Sequence, residues 1–305
     1  MEEYLSFSHE VAAARAEGRP IVAVESTVFA HGLPRPRNME VAAELMGAIR
    51  AEGAVPAIVA LAGGRIVIGL SSDSLEVMCD RPDVAKVSRR DLPVVLATGG
   101  YGATTVSGTM ICAARAGIRV FATGGIGGVH RGVEETMDVS ADLEELAQTD
   151  VAVVCAGAKA ILDLPRTLEY LETKGVPVIG YGTDRFPAFY VRATELPVDH
   201  RADTPEAVAA IMRAKWALRL GGGLIVANPI PERWAMDPEP LERATRAALR
   251  EAEAQRVSGK AITPFLLARI AETTGGDSTD ANAALLLSNA RLAARIARAW
   301  SAQTA

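Results

Sequence analysis

The sequence predicts an α/β protein, a three-layer α/β/α sandwich with a largely parallel or mixed central sheet. Three observations carry that reading. Short β-branched runs alternate along the chain with Ala-rich helical patterns. Several of the runs are apolar at every position, as in strands covered by helices on both faces. The composition is 49 % hydrophobic but only 5 % aromatic, which suits an aliphatic core of Ala, Val, Leu and Ile.

In chain order, the apolar run 21–24 opens the pattern and the Ala-rich stretch 39–51 gives its first helix. Strands are expected next at 57–60, 66–68 and 94–97, each a short run of Val, Ile, Leu and Ala. A helix at 106–116 leads to strands at 120–122 and 151–155, the second an unbroken run of Val, Ala and Cys. A helix at 160–174 precedes the strand at 176–179, and a helix at 205–220 precedes the strand at 224–227. The rest reads as helix at 240–254, 264–273 and 280–300. Pro and Gly are scattered, no linker or low-complexity segment marks a boundary, and no tandem repeat occurs. A chain of 305 residues can bury one large core. A single domain over 1–305 is expected.

Charge excludes several classes. A net charge of −5 gives no electrostatic case for nucleic acid or an anionic membrane. The opening Met1-Glu2-Glu3-Tyr4 lacks the basic start and apolar core of a signal peptide. No apolar run reaches the roughly 18 residues of a spanning helix. Cys79, Cys112 and Cys155 are odd in number and widely spaced, fitting neither a disulfide framework nor a zinc site. A cytoplasmic protein is the default expectation.

Only five of the 32 basic residues are lysines: Lys86, Lys159, Lys174, Lys215 and Lys260. Arginine carries the ordinary surface charge, so each lysine raises the question of what arginine could not do. Lys159 lies in an apolar run, 151–162, with no acidic neighbour before Asp163. A desolvated amine there keeps its lone pair for attack on a carbonyl, which guanidinium cannot do. The plain alternative is a lysine whose stem packs while its head reaches water.

In doubly wound sheets function gathers where strands end and loops begin. Four loops meet that criterion: Glu25-Ser26-Thr27, the Gly-rich stretch 123–132, Ala156-Gly157-Ala158-Lys159, and Asn228-Pro229-Ile230-Pro231-Glu232. Glu25 reads either as a strand-end carboxylate accepting backbone hydrogen bonds or as a general acid. Gly124, Gly125, Gly127, Gly128 and Gly132 permit positive φ and close backbone approach, and could ring an anion with amides or simply form a turn. A dinucleotide fingerprint is excluded, because its third glycine would fall on His130. His130 itself is explained as well by a loop hydrogen bond as by ligand contact.

Ser140 is a good N-cap and Asp142 a good first-turn acid for a helix toward Leu146, and capping suffices to explain Ser140. It does not explain Asp138, which precedes the helix. Asp138 is the better candidate for a hard, oxygen-ligated divalent ion, with water and a phosphorylated ligand completing the shell.

Taken together, these segments resemble the pseudouridine-5'-phosphate glycosidases, also called the indigoidine synthase A-like family. The matching segments run through most of the chain. They are Glu25-Ser26-Thr27 with His31-Gly32-Leu33-Pro34, Lys86-Val87-Ser88-Arg89-Arg90-Asp91-Leu92-Pro93, Gly102-Ala103-Thr104-Thr105-Val106, and the Gly-rich loop through Arg131. They continue through Ser140-Ala141-Asp142-Leu143, Cys155-Ala156-Gly157-Ala158-Lys159, Gly182-Thr183-Asp184 and Ala227-Asn228-Pro229-Ile230-Pro231-Glu232. Thr263-Pro264-Phe265-Leu266-Leu267 and Asn289-Ala290-Arg291-Leu292 complete the set. Each alone is weak, and their joint occurrence in this order is specific.

The resemblance implies that Lys159 is a covalent nucleophile and Glu25 a proton donor. It implies that Asp138 holds a divalent cation, typically Mn²⁺, one per subunit. Lys86, Val106, Ser140, Ala141 and Asp142 would contact substrate, with Thr123, His130 and Asn289 as further pocket residues. It also implies a homotrimer acting on pseudouridine 5'-phosphate, or on uracil and ribose 5-phosphate in reverse. One departure is Gly99-Gly100-Tyr101, where some members carry a lysine-containing segment.

Two other classes compete. A ribokinase-like sugar or nucleoside kinase is suggested by the α/β pattern and by Thr274-Gly275-Gly276-Asp277-Ser278 before an Ala-rich helix. That reading leaves Lys159 and Glu25 unexplained. A catalytically silent sugar-phosphate-binding protein would need the loop glycines but not a desolvated lysine.

Overall fold

Residues 2–304 are described by a computed structural model, in which eleven strands join one mixed sheet. The strands are β1 (Leu5–Phe7), β2 (Ile21–Glu25), β3 (Val55–Ala62), β4 (Arg65–Ile68), β5 (Ala85–Val87) and β6 (Gly102–Thr104). They continue with β7 (Val120–Ala122), β8 (Ala152–Cys155), β9 (Val178–Tyr181), β10 (His200–Ala202) and β11 (Leu224–Ala227). The spatial order is β1-β4-β3-β2-β7-β8-β11-β9-β10, with β6 also on β3 and β5 beyond β6. Only the pairs β3–β4 and β3–β6 are antiparallel. β7, β8 and β11 are buried at every position, so helices cover the sheet on both faces.

Helices begin where the sequence supplies a side chain for the unpaired first-turn amides. Ser8, Ser71, Thr105, Ser140, Asp163, Thr204 and Asp237 each accept a backbone N–H from the helix they open. The longest, Asp277–Thr304, packs against β2, β7 and β8 and against the helices Arg37–Ala51 and Pro205–Ala217. No helix of the described residues is long and apolar enough to cross a membrane.

Seven of the eight expected strands are present, within a few residues at their ends. The eighth is a correction: 94–97 lies in the helix Leu92–Thr98. Its run of Val and Leu is too short for periodicity to separate strand from helix. Pro93 in the first turn and left-handed Gly99 at the C-cap decide for the helix, leaving Val94 exposed. The helix expected at 160–174 starts only at Leu164, because residues 160–163 belong to the loop carrying Lys159. Four short strands, β1, β5, β6 and β10, were not legible as runs.

The register fixes what stands beside what. Val24 pairs with Ala122, Ala122 with Val154, and Cys155 with Ala227. Glu25 and the loops after β7, β8 and β11 therefore emerge side by side at the carboxyl edge of four parallel strands.

Candidate active site

A cavity of about 660 Å³ opens at that edge. Its wall includes Glu25, Lys86, Val106, His130, Asp138, Ser140, Ala141, Asp142 and Lys159. Three of the five lysines, Lys86, Lys159 and Lys260, share it. Thr123 and Asn289, also expected in the pocket, stand behind the wall, both fully buried. Thr123 Oγ1 donates to Glu25 Oε1, and Asn289 Nδ2 donates to the Thr123 carbonyl at 2.8 Å. Asn228 Nδ2 in turn donates to Asn289 Oδ1 at 2.9 Å. This buried chain holds Glu25 from behind.

Glu25 ends β2 with only 8 % of its surface exposed. Burial raises its carboxyl above the ordinary range, against the opposing pulls of the Lys159 charge and the Thr123 hydrogen bond. With Thr123 occupying Oε1, Oε2 is the oxygen left to carry a proton. Removing that donor should raise the pKa further, so Thr123→Val should displace the alkaline limb of the pH–rate profile upward. An unmoved limb would show that Glu25 does not set it.

Lys159 follows the left-handed Gly157, whose added β-carbon would collide with the Pro187 carbonyl. The loop is pinned on both sides. Ile126 N–H donates to the Gly157 carbonyl at 3.1 Å, Lys159 N–H to Ile126 at 3.2 Å, and Phe189 N–H to Ala156 at 2.8 Å. Lys159 is half-buried, on the cavity wall. Its Nζ has neither a hydrogen bond nor a carboxylate within 4.0 Å among the described residues. A partly desolvated, unpaired amine is what a nucleophile needs.

Of the two freedoms expected of the Gly-rich loop, close approach dominates. Only Gly132 has positive φ; the other four glycines are there for close approach. A β-carbon on Gly125 would come within 2.5 Å of the Phe189 ring, and one on Gly128 within 2.5 Å of Thr167 Oγ1. A β-carbon on Gly124 would stand 3.2 Å from the Phe189 ring and 3.4 Å from Asn282 Oδ1. On Gly127 it would lie 2.8 Å from Asp142 Oδ2. That carboxylate is fully engaged. Oδ1 accepts Ser107 N–H and Oδ2 accepts Gly127 N–H, both at 2.9 Å. Asp142 thus ties the loop to the first turn of the helix Val106–Arg115. Ser140 caps its own helix as expected.

His130 and Asp138 face each other across a short antiparallel pairing, with His130 N–H donating to the Asp138 carbonyl at 3.0 Å. Their side chains, Nδ1 to Oδ2, are 4.0 Å apart. Burial lowers the imidazole pKa more than Asp138 raises it, so this is a neutral histidine beside a carboxylate. No cluster of three or more His, Cys, Asp or Glu suited to a metal occurs among the described residues. One carboxylate with an adjacent imidazole fits a cation that keeps most of its shell in water and ligand oxygens.

Two wall residues were not singled out from sequence. His31 Nε2 and Asn282 Oδ1 are buried without a hydrogen-bond partner, and both residues line the cavity. Buried polar atoms left unpaired on a cavity wall mark places where a ligand completes the bonding. Phe189, a bulky residue held at φ +58°, presents its ring beside Asn282. Strain of this kind persists where surrounding packing enforces it, and it clusters at ligand sites.

Known proteins share this sequence pattern and fold over nearly the whole chain. A family model described as indigoidine synthase A like protein matches residues 10–299. The pseudouridine-5'-phosphate glycosidase of Methylobacterium nodulans is 59 % identical over 293 residues, covering 96 % of this chain and 87 % of that protein. Among solved structures, the prealnumycin C-glycosynthase AlnA in complex with ribulose 5-phosphate superposes with a TM-score of 0.92 at 42 % identity, covering 100 % of this chain and 99 % of that one. An indigoidine synthase A-like protein from Thermotoga maritima gives 0.89 at 37 % identity, covering 97 % and 96 %. The chain belongs to the indigoidine synthase A-like family.

Proposed function

We propose that this chain cleaves the carbon–carbon glycosidic bond of pseudouridine 5'-phosphate, reversibly, to uracil and ribose 5-phosphate. One observation carries the reading. The unpaired amine of Lys159 shares a cavity with the buried carboxyl of Glu25, whose pKa burial raises.

The bond itself explains why an amine is needed. Ordinary glycosidases place two carboxylates around an oxocarbenium-like transition state and expel an oxygen or nitrogen. Here the leaving atom is uracil C5, and a carbanion leaves far less readily. Glu25 Oε2 gives its proton to the ribose ring oxygen while Lys159 Nζ bonds to C1' and the ring C1'–O bond breaks. The attached nitrogen gives up a proton, its lone pair forms the C1'=N⁺ imine as the C1'–C5 bond breaks, and C5 takes up that proton. Water hydrolyses the imine, releasing ribose 5-phosphate and the free lysine.

The two ends of the cavity suit the two ends of that substrate. Lys86 and Val106, with Ser140 and Ala141, line the part of the wall we assign to the anion. Burial lowers the Lys86 ammonium, and Lys159 pushes it the same way, so an arriving phosphate would stabilise its charge. At the other end the Phe189 ring supplies an apolar face and Asn282 Oδ1 an acceptor for a ring N–H. His130 is also on the wall, within reach of the Lys159 and Lys86 charges. Asp142 acts by holding this frame. The kinase alternative finds no support, because Gly275 and Gly276 form a turn between helices and Asp277 is off the cavity wall.

Asp138 would hold a divalent cation, Mn²⁺ by family resemblance, which would supply positive charge at the phosphate end. The same resemblance supports a cytoplasmic homotrimer built from one domain over 1–305. Asp138→Ala should lower bound Mn²⁺, measured on the purified protein, and raise KM for the phosphorylated substrate. Chelator should imitate the variant in the wild type. Equal metal content in both proteins would remove Asp138 from the site. The activity itself is tested by incubating the protein with pseudouridine 5'-phosphate and Mn²⁺. Uracil should appear, and its absence sinks the proposal.

A further inference from the structure

The segment from the one-turn 3₁₀ helix Gly259–Ala261 into the helix Ile262–Thr273 roofs the cavity with Gly259, Lys260, Thr263, Pro264 and Leu267. Lys260 is its attachment to the opposite wall, and the attachment is reciprocal. Lys260 Nζ donates to the Lys86 carbonyl at 3.0 Å and pairs with Asp91 Oδ1 at 2.7 Å. Lys86 Nζ donates back to the Lys260 carbonyl at 3.4 Å. Asp91 is itself fixed, its Oδ2 accepting Ser88 N–H at 3.0 Å. β5 pairs with β6 alone, so its outer edge leaves the Lys86 carbonyl free for this contact.

We propose that Lys260 is a positioning residue for phosphate recognition, holding the roof and the Lys86 ammonium in register over the anion end of the cavity. An ammonium has three donors. Lys86 has no carboxylate within 4.0 Å among the described residues, so the Lys260 carbonyl is the contact that aims its head. The other two donors remain for the ligand. The carbonyl cannot be mutated, but the two side-chain bonds that fix its place can. Losing them lets the roof drift and leaves Lys86 unaimed, which weakens binding of phosphate while leaving Lys159 and Glu25 untouched. A sugar without phosphate never uses Lys86, so it should not sense the change.

This inference rests on the proposed lysine–pentose adduct, and the test separates the two. Borohydride trapping is run with ribose 5-phosphate and with ribose on wild type, Lys260→Met, and Lys260→Arg as the charge-retaining control. In the wild type, half-saturation for ribose 5-phosphate should lie well below that for ribose. Lys260→Met should raise the ribose 5-phosphate value roughly tenfold, the scale of one charge-assisted contact. It should leave the maximal trapping rate and the ribose value near wild type, with Lys260→Arg largely restoring the preference. In a Lys86→Met background, Lys260→Met should add nothing further. Where the methionine variant folds poorly, Lys260→Gln, which keeps a donor for the Lys86 carbonyl but not the ion pair, reports the same preference. A parallel loss for both sugars, or an unchanged preference, overturns the positioning role. A wild type that traps no pentose phosphate overturns the proposed function, and this role with it.

Discussion

Lys159→Arg is expected to abolish turnover while leaving the fold and the charge in place. The position tolerates a cation, since the residue is half-buried on a cavity wall and no carboxylate lies within 4.0 Å of its head. Guanidinium keeps that charge but holds its proton far above neutral pH and cannot attack C1'. The loss should be on the order of 10⁴–10⁶ in kcat, the scale seen when a nucleophile is removed. Borohydride added during turnover should fix a pentose phosphate mass on wild-type Lys159 and none on the variant. The competing explanation, that arginine merely distorts the loop, is separable. The loop is held by backbone bonds from Ile126, Lys159 and Phe189, which the substitution does not remove. Melting temperature should therefore change little. Appreciable turnover by the arginine variant sinks the covalent mechanism.

What the sequence made legible follows from the range of each signal. The carboxyl-edge loops could be read because apolar strands announce their own ends, and Glu25 and Lys159 each follow one directly. The strand at 94–97 failed because four apolar residues fit either element, and the cap at Gly99 settles the matter. The glycines of 124–128 left two readings open for another reason. Sequence shows that a side chain is missing but not whether a torsion or a neighbour forbids it, and here Phe189, Thr167 and Asp142 do. Asn289 and Asn282 make the same point on one helix. They lie seven residues apart, about two turns, and so share a face. Only the depth of the helix against the sheet decides that Asn289 holds Thr123 from behind while Asn282 reaches the cavity. The roof carried by Lys260 was equally hidden, since its partners Lys86 and Asp91 are some 170 residues away in sequence.

Glu25→Gln is the other substitution with a large expected effect, and it tests the proton rather than the bond. Glutamine keeps the shape and can still accept from Thr123 Oγ1, so the buried chain through Asn289 and Asn228 stays intact. It also removes the cost of burying a titratable carboxyl, so stability should not fall. What it lacks is an acidic proton at the oxygen that Thr123 leaves free. The direction of the pH effect follows from the raised pKa. A carboxyl raised by burial stays protonated to higher pH than an ordinary glutamate, and its donating form is lost only as pH climbs through that raised value. Wild-type kcat should therefore fall on the alkaline side. The variant should be slower by roughly 10²–10⁴ in kcat, the usual contribution of general acid catalysis, with substrate binding retained and the alkaline limb gone. The Lys159 adduct should also form more slowly under borohydride, because the proton to the ring oxygen is given in the step that forms it. Near wild-type turnover by Glu25→Gln across that pH range would mean the ring oxygen takes its proton from another group. His130 is one alternative on the wall, and burial, which lowers its pKa and so favours the neutral imidazole, makes it a poor donor there.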